Sequence, residues 1–210
     1  MVDNKQNIDE ILAKRQHEIE KINRELDEAR AKEEETKENP PLAFDEVVKQ
    51  MGTGRINYRD KVIKFRAVQL FHNSVSLPIP IEYLKVNSQD EEVVSFLNND
   101  KGISLTIQFT KSERKHVTFE QVKNGMDAQF KNSGIYAEMI EEGKVEDDVA
   151  PLYFIAQRIP LAPGVMYQMT FYAINKINAK MIIGSYNCFY KDLDVWGNII
   201  KATLTYLDFH

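Results

Sequence analysis

Residues 150–210 constrain the fold of this chain more than any other stretch. They hold three apolar runs, APLYFIAQRIPL, GVMYQMTFYAI and AKMIIGSYNCFY, followed by the amphipathic segment KDLDVWGNIIKATLTYL. Pro163-Gly164 and residues 175–178 supply turn residues between the runs, so neighbouring runs are predicted to pair as antiparallel hairpins. The last segment is predicted to be a helix capped by Asp192, and its apolar stripe needs the sheet as a surface to cover it.

The middle of the chain adds a second hairpin and a second helix. Residues 103–110 alternate apolar and polar side chains more regularly than any other run, which predicts a strand with one face in the core. Residues 92–97 are predicted to pair with it. Thr118 and Gln121 have the spacing of a capping box, in which each residue binds the other's backbone N–H, so a helix is predicted to begin there.

Two further segments are predicted to limit the sheet. The prolines of SVSLPIPIEYLKV cannot donate backbone hydrogen bonds, so this run is expected at an edge or as a short entry strand. The acidic segment EEGKVEDD, residues 141–148, is predicted to be a turn. Because no crossover helices separate adjacent strands, the fold class is predicted to be α+β, with a mostly antiparallel sheet covered by helices.

Residues 1–38 differ from the rest of the chain in composition. They contain 12 acidic and 8 basic residues and no glycine, proline or aromatic residue. Apolar residues recur there in alternating steps of four and three, which is the seam of a short coiled coil, with Arg15 at one seam position. The predicted partner-binding residues of this helical arm are Ile8, Leu12, Ile19, Ile22 and Leu26. A solvated helix held by Glu–Lys pairs is the alternative.

The prolines after Asn39 end the arm, so three regions are predicted. Residues 1–38 form the coiled-coil arm, residues 39–60 a linker and short helix, and residues 61–210 the α+β domain. The arm is expected to self-associate weakly at most, because a seam arginine needs a partner for its charge, and to prefer an acidic helix of another protein.

Charge and hydropathy exclude several classes of partner. The net charge of −5, without a block of lysine or arginine, gives no support for nucleic acid as a partner. No stretch has the roughly 18 uninterrupted apolar residues of a spanning helix, and the first residues do not resemble a secretion signal. The chain is therefore expected to be cytoplasmic without membrane insertion. Cys188 is the single cysteine, and a buried, inert thiol is expected in its apolar strand.

Catalytic and cofactor motifs are missing from the sequence. The four histidines lack a second ligand at metal-binding spacing, and Gly52-Thr53-Gly54 lacks the lysine of a phosphate-binding loop. Asp192 and Asp194 form an Asp-x-Asp pair, which helix capping explains more simply than a metal does. We therefore expect no enzyme activity, no cofactor and no metal.

The order of elements resembles a known family. The elements that carry the resemblance are SVSLPIPIEY, ISLTIQFTK, a helix after Thr118, and paired strands that end in MIIGSYNCFYKDLDVWGNIIKATLTYL. Over residues 61–210, the succession of these elements is similar to that of the PsbP-like superfamily. That superfamily includes a photosystem extrinsic protein, a Ran-binding nuclear transport factor and bacterial DcrB-like proteins. Among the last are Eag-type chaperones, which hold hydrophobic N-terminal segments of type VI secretion effectors. The resemblance transfers no individual functional residue.

Three function classes follow from these observations. A protein–protein interaction module, such as a bacterial cytosolic adaptor or chaperone for a secretion-system effector, agrees best with the resemblance and with the apolar faces of the strands. A structural subunit that docks into a larger assembly through its N-terminal helix is the alternative. An enzyme is the least favoured class, because it would need a pocket with shifted titratable groups that no motif indicates.

Overall fold

A computed structural model describes residues 40–111, 118–133, 136–161 and 164–210. The described residues form three α-helices, which are α1 (Phe44–Met51), α2 (Phe119–Ser133) and α3 (Leu193–Thr205). The first six strands are β1 (Arg55–Tyr58), β2 (Lys61–Leu70), β3 (Val75–Pro80), β4 (Lys85–Gln89), β5 (Val93–Asn98) and β6 (Ile103–Lys111). The others are β7 (Glu138–Val145), β8 (Leu152–Leu161), β9 (Gly164–Ile174), β10 (Lys180–Phe189) and β11 (Asp208–Phe209).

Two antiparallel sheets organise these strands. The large sheet has seven strands in the order β4-β5-β6-β10-β9-β8-β7, and the small sheet has four in the order β1-β2-β3-β11. The predicted hairpins β5–β6, β8–β9 and β9–β10 are all present, with neighbouring residues in register along each pair. The predicted α+β class with a mostly antiparallel sheet is therefore confirmed.

The inner face of the large sheet carries the main core. Helix α3 lies on it and buries the apolar stripe predicted from sequence, including Trp196, Ile199 and Ile200. The Trp196 ring meets Tyr83 edge to face at 5.1 Å, and Phe71 stacks on Phe109 at 5.0 Å. Burial of such side chains stabilises a fold by roughly 25 cal/mol per Å² of apolar surface, so this layer holds the two sheets together.

The segment predicted as a linker and short helix contributes to this core. Helix α1 forms where the amphipathic residues predicted it, and β1 follows the turn at Gly54. The buried side chains of the segment are Val47, Met51, Ile56 and Tyr58. The compact unit accordingly begins at Leu42.

The acidic segment 141–148 is not a turn over its whole length. Strand β7 continues through it to Val145 and pairs with β8. Because β7 is the last strand of the large sheet, its outer side faces water and charged residues are tolerated there. Ion pairs also hold these charges, with Glu141 at 2.6 Å from Lys201 and Lys144 at 2.6 Å from Glu146.

Two local predictions need correction. Asp192 occupies the position before α3, but its side chain makes no capping hydrogen bond, because a single 3₁₀ turn at Tyr190–Asp192 leads into the helix. Asp194, in the first turn of α3, forms an ion pair with Arg59 at 3.3 Å. Strand β3 lies inside the small sheet, yet β11 covers only Val75 and Ser76, so its prolines face no further strand.

Candidate functional site

The side of the large sheet that faces away from α3 carries an uncharged surface, which we call the outer face. Alternation along β8, β9 and β10 places its side chains there, opposite those of the core. The outer face consists of Tyr153, Ile155, Gln157, Gln168, Thr170, Tyr172, Ile183, Ser185 and Asn187. Charged residues border it along β7 and α2, where Lys123 pairs with Glu142 and Lys144 pairs with Glu146.

Stacked aromatic rings form one row of the outer face. Tyr153 on β8 is directly opposite Tyr172 on β9, and their rings stack at 5.2 Å. Phe119, the first residue of α2, stacks on Tyr153 at 5.6 Å, and the Lys144 ammonium lies 5.6 Å from the same ring. Such pairs contribute about 0.5–1.5 kcal/mol beyond their buried area, so the row fixes the start of α2 over the sheet.

A cavity of about 260 Å³ lies between α2 and this aromatic row. The helix contributes Phe119, Gln121, Val122 and Gly125 to its wall. The sheet contributes Tyr153, Phe154, Ile155, Thr170, Phe171, Tyr172 and Ile183. Ile183 is 41% exposed, so the cavity is continuous with the open part of the outer face.

Amide side chains form a second row on the outer face. Gln157, Gln168 and Asn187 are cross-strand neighbours on β8, β9 and β10, and Ser104 on β6 continues the row. Asn187 Nδ2 donates to Ser104 Oγ at 3.3 Å. Gln157 is 3% exposed, and its Oε1 has no hydrogen-bond partner within the described residues. A buried carbonyl left unpaired costs about 1–3 kcal/mol, so this oxygen favours a donor from outside the described residues.

Helix α2 is held by two contacts besides the ring stack. Thr118 N–H donates to Gln121 Oε1 at 3.1 Å, and Gln121 N–H donates to Thr118 Oγ1 at 3.3 Å, which confirms the predicted capping box. Lys123 Nζ lies 2.7 Å from Glu142 on β7. These contacts place the first half of α2 beside β7 and β8, while Ile183 and Ser185 on β10 face the open side.

The electrostatics of the outer face suit an uncharged ligand. Burial, and then the neighbouring Tyr153, raises the pKa of Tyr172 to about 12, so its hydroxyl stays protonated near neutral pH. Thr170 accepts from Gln168 at 3.3 Å and is likewise neutral. A charged group would lose its hydration here without gaining a counter-ion, whereas an apolar side chain would bury surface.

The remaining candidates from sequence lie elsewhere. Cys188 is buried on the inner face, and His72 and His210 are exposed near the ends of the small sheet. Within the described residues, no three histidine, cysteine or acidic side chains come together as a metal site. None of the described helices has the length and apolar character that crossing a bilayer requires.

The predicted partner-binding residues lie outside the described residues. They are Ile8, Leu12, Ile19, Ile22 and Leu26. The coiled-coil arm therefore stays a prediction from the heptad spacing.

The amide row was missed in the sequence, although a signal for it was present. Ile155, Gln157 and Ile159 alternate on one face of β8, so an amide in the middle of an otherwise apolar face indicates a buried polar group. Its alignment with Gln168 and Asn187 depends on the register of three strands, which local sequence does not give.

Comparison with solved structures agrees with this arrangement. Cyanobacterial PsbP (CyanoP) from Synechocystis sp. PCC 6803 is similar with a TM-score of 0.53 at 10% identity, over 74% of this chain and 98% of that chain. The Ran-binding protein Mog1p of Saccharomyces cerevisiae is similar with a TM-score of 0.51 at 7% identity, over 70% and 96% of the two chains. No protein-family model matches the sequence, and no curated protein matches it. The fold of this chain is PsbP-like.

Proposed function

We propose that the chain is a non-catalytic protein-binding module whose outer face holds an apolar segment of a partner protein. The observation that carries the proposal is the cavity beneath α2, which opens at Ile183 onto the uncharged outer face. Pockets for small ligands occupy roughly 300–1,000 Å³. A cavity of about 260 Å³ therefore suits one or two partner side chains better than a cofactor.

The two rows of the outer face give a bound segment different contacts. Tyr153, Tyr172 and Ile183 offer apolar surface for its side chains. Gln168 and Asn187, which are partly exposed, offer amide groups for its polar atoms. An apolar segment bearing a few hydrogen-bonding groups fits this combination.

At a finer level, we assign the chain the role of a bacterial cytosolic adaptor or chaperone for a secretion-system effector. The resemblance to DcrB-like proteins supports this role, because their Eag-type members hold hydrophobic segments of effectors. Mog1p, which has a similar fold, is a Ran-binding protein, so a PsbP-like fold can serve protein recognition. No catalytic role is proposed for any residue of the outer face.

The experiment compares two substitutions of exposed isoleucines. Ile183→Lys places a charge at the mouth of the cavity, whereas Ile177→Lys places the same charge in the β9–β10 turn, where the side chain is 72% exposed. Both variants should fold, because neither position is buried. Each is co-purified from the native host as the full chain, and its partners are quantified by mass spectrometry.

We expect Ile183→Lys to lose the partner and Ile177→Lys to keep it. One dominant secreted protein in the wild-type sample would support the chaperone role. If Ile183→Lys retains its partner at the wild-type level, the outer face is not the binding surface.

A structural subunit that docks through residues 1–38 is the second candidate. The heptad spacing of Ile8, Leu12, Ile19, Ile22 and Leu26 favours it, because such a seam pairs with another helix. Several stoichiometric partners, instead of one secreted protein, would support this candidate in the same co-purification.

A further inference from the structure

The small sheet carries a cluster of positive side chains on β1 and β2, which we call the basic patch. It consists of Arg55, Lys64 and Arg66, with Asn57 and Val62 beside them. All five side chains are exposed. The chain as a whole has a net charge of −5, so the basic patch is a local reversal of its charge.

Strand register brings these cations close together. Phe65 N–H donates to Gly54 O at 2.8 Å, so by alternation the next pair, Arg55 and Lys64, is a pair without backbone hydrogen bonds. In such pairs the Cα atoms are about 4.5 Å apart and the side chains are at their closest. Arg66 follows two residues after Lys64, on the same face and about 7 Å further along the strand.

The basic patch is not neutralised by the rest of the described structure. Glu82 lies 3.2 Å from Lys64 and pairs with it. Arg55 and Arg66 form no ion pair within the described residues. Like charges directly opposite one another destabilise a sheet. Arg55 and Arg66 lie beside Lys64 without an ion pair among the described residues, so an external anion would reduce the repulsion among the three cations.

We infer that the basic patch binds an acidic segment of another protein. Arginine guanidinium groups bind carboxylates through two parallel hydrogen bonds, and Arg55 and Arg66 have no ion-pair partner among the described residues. Val62, which is 45% exposed beside Lys64 on the same face of β2, adds an apolar contact that a peptide can use and an isolated phosphate cannot. The negative charge of the whole chain would repel a long polyanion such as nucleic acid, whereas a short acidic segment meets only the basic patch.

Recognition at the basic patch takes place through side chains. Strand β1 is the outermost strand of the small sheet, but Asn57 N–H already donates to Gln50 Oε1 at 2.7 Å. Gln50 Nε2 in turn donates to Glu46 Oε1 at 2.9 Å, which holds the glutamine in place. This part of the β1 edge is therefore occupied, and a partner strand cannot add to it without displacing Gln50.

This surface is separate from the outer face, so its test does not depend on the proposed function. The probe is a fluorescein-labelled decaglutamate peptide, whose anisotropy is measured with the full chain at about 50 mM and about 300 mM sodium chloride. Arg55→Gln with Arg66→Gln removes the two unpaired arginines. Lys101→Gln with Lys191→Gln removes the same charge from exposed positions outside the basic patch.

We expect the wild-type chain to bind the peptide and to bind it more weakly at the higher salt concentration. The arginine variant should lose about tenfold or more in affinity, and the lysine variant should stay within about twofold of wild type. The peptide should also raise the thermal midpoint of the wild-type chain and the lysine variant, because it binds the folded state alone, and should leave the arginine variant unchanged.

Several results would overturn the inference. Equal losses in both variants would mean that the peptide senses total charge, and equal binding by the arginine variant and wild type would exclude the basic patch. Binding to vesicles of phosphatidylcholine and phosphatidylserine without binding to the peptide would assign the basic patch to a lipid surface. Displacement of the peptide by inorganic phosphate at equal concentration would assign it to a phosphate group.

Discussion

Cys188 lies on the inner face of β10, where its side chain is fully buried beside the core. Burial, and then the nearby Asp192 carboxylate, raises the pKa of its thiol to about 12. The apolar strand that contains Cys188 had predicted a buried thiol, and the structure confirms that it is buried. The thiolate is the reactive form of cysteine, so this thiol is protected both by its burial, which excludes reagents, and by its raised pKa, which keeps it protonated.

A thiol reagent should therefore distinguish the folded from the unfolded chain. At mildly alkaline pH we expect native Cys188 to react at least about 100-fold more slowly than the same residue in denaturant. The reaction is followed by absorbance, and Cys188→Ala, which has no thiol, gives the blank. Equal rates in the two states would show that the thiol is open to solvent.

The burial or role of a single residue can be predicted where a repeating sequence pattern includes it. It cannot be predicted where contacts with other elements determine it. The stripe of Trp196, Ile199 and Ile200 could be assigned to the core from helical spacing alone. Asp192 could not be excluded as a capping residue, because the 3₁₀ turn before α3 depends on how β10 enters the helix. The unpaired carbonyl of Gln157 depends on neighbours from other elements, which no local pattern specifies.

At the scale of elements, the inner strands of the sheets could be predicted and several edge strands could not. Central strands are marked by regular alternation, as in β6, or by an apolar run, as in β9, because both neighbours and at least one face are covered. Strands β1 and β4 are short, polar and at sheet edges, where natural sequences avoid flat apolar strands. The second half of strand β7, from Glu141 to Val145, was hidden for the same reason, since its charged residues resemble a loop.

Gly184 on β10 leaves room for an aromatic side chain of the neighbouring strand. Phe171 is its cross-strand partner on β9, and a Cβ at position 184 would lie 2.2 Å from the Phe171 ring. Gly184→Ala should destabilise the fold by about 1–3 kcal/mol, because the ring must leave its position. The free energy of unfolding is measured by urea denaturation.

Gly125→Ala in α2 is the matched control for this substitution. Its Cβ would meet no atom within 4 Å, and alanine favours helix over glycine by about 1 kcal/mol, so this variant should be as stable as wild type or more stable. If Gly184→Ala unfolds at the wild-type urea concentration, the packing of Phe171 on β10 is looser than the structure indicates.

At the scale of the whole molecule, the hairpins can be predicted from the turn residues, but the order of strands in the sheet cannot. Strand β10 inserts between β9, its neighbour in sequence, and β6, from which one helix and three strands separate it along the chain. Local patterns carry no information on such distant pairs. The order of elements nevertheless resembled the PsbP-like superfamily, and at the level of the fold this prediction is confirmed.

The arm is the part of the molecule for which the sequence alone supports a role. Its seam is the one heptad pattern in the chain, and Asn39 with the two prolines separates it from the compact unit that begins at Leu42. Arg15 in the seam argues against strong self-association, because a buried cation needs an acidic partner. If the chain is a structural subunit, the second candidate function, assembly is predicted to depend on residues 1–38 and stability on the compact unit.

In that case, deletion of residues 1–38 should leave thermal unfolding unchanged and abolish association, both with a helical partner and in the weak self-dimer. In the full chain, Ile19→Asp with Ile22→Asp should have the same effect, since it places two charges at adjacent seam positions. Ala13→Asp with His17→Asp adds the same charge at positions outside the seam and should keep the association. Sedimentation velocity and a pull-down measure the two forms of association. If the seam variant keeps its partner, the second candidate is excluded and recognition takes place on the compact unit, as the proposed role of the outer face requires.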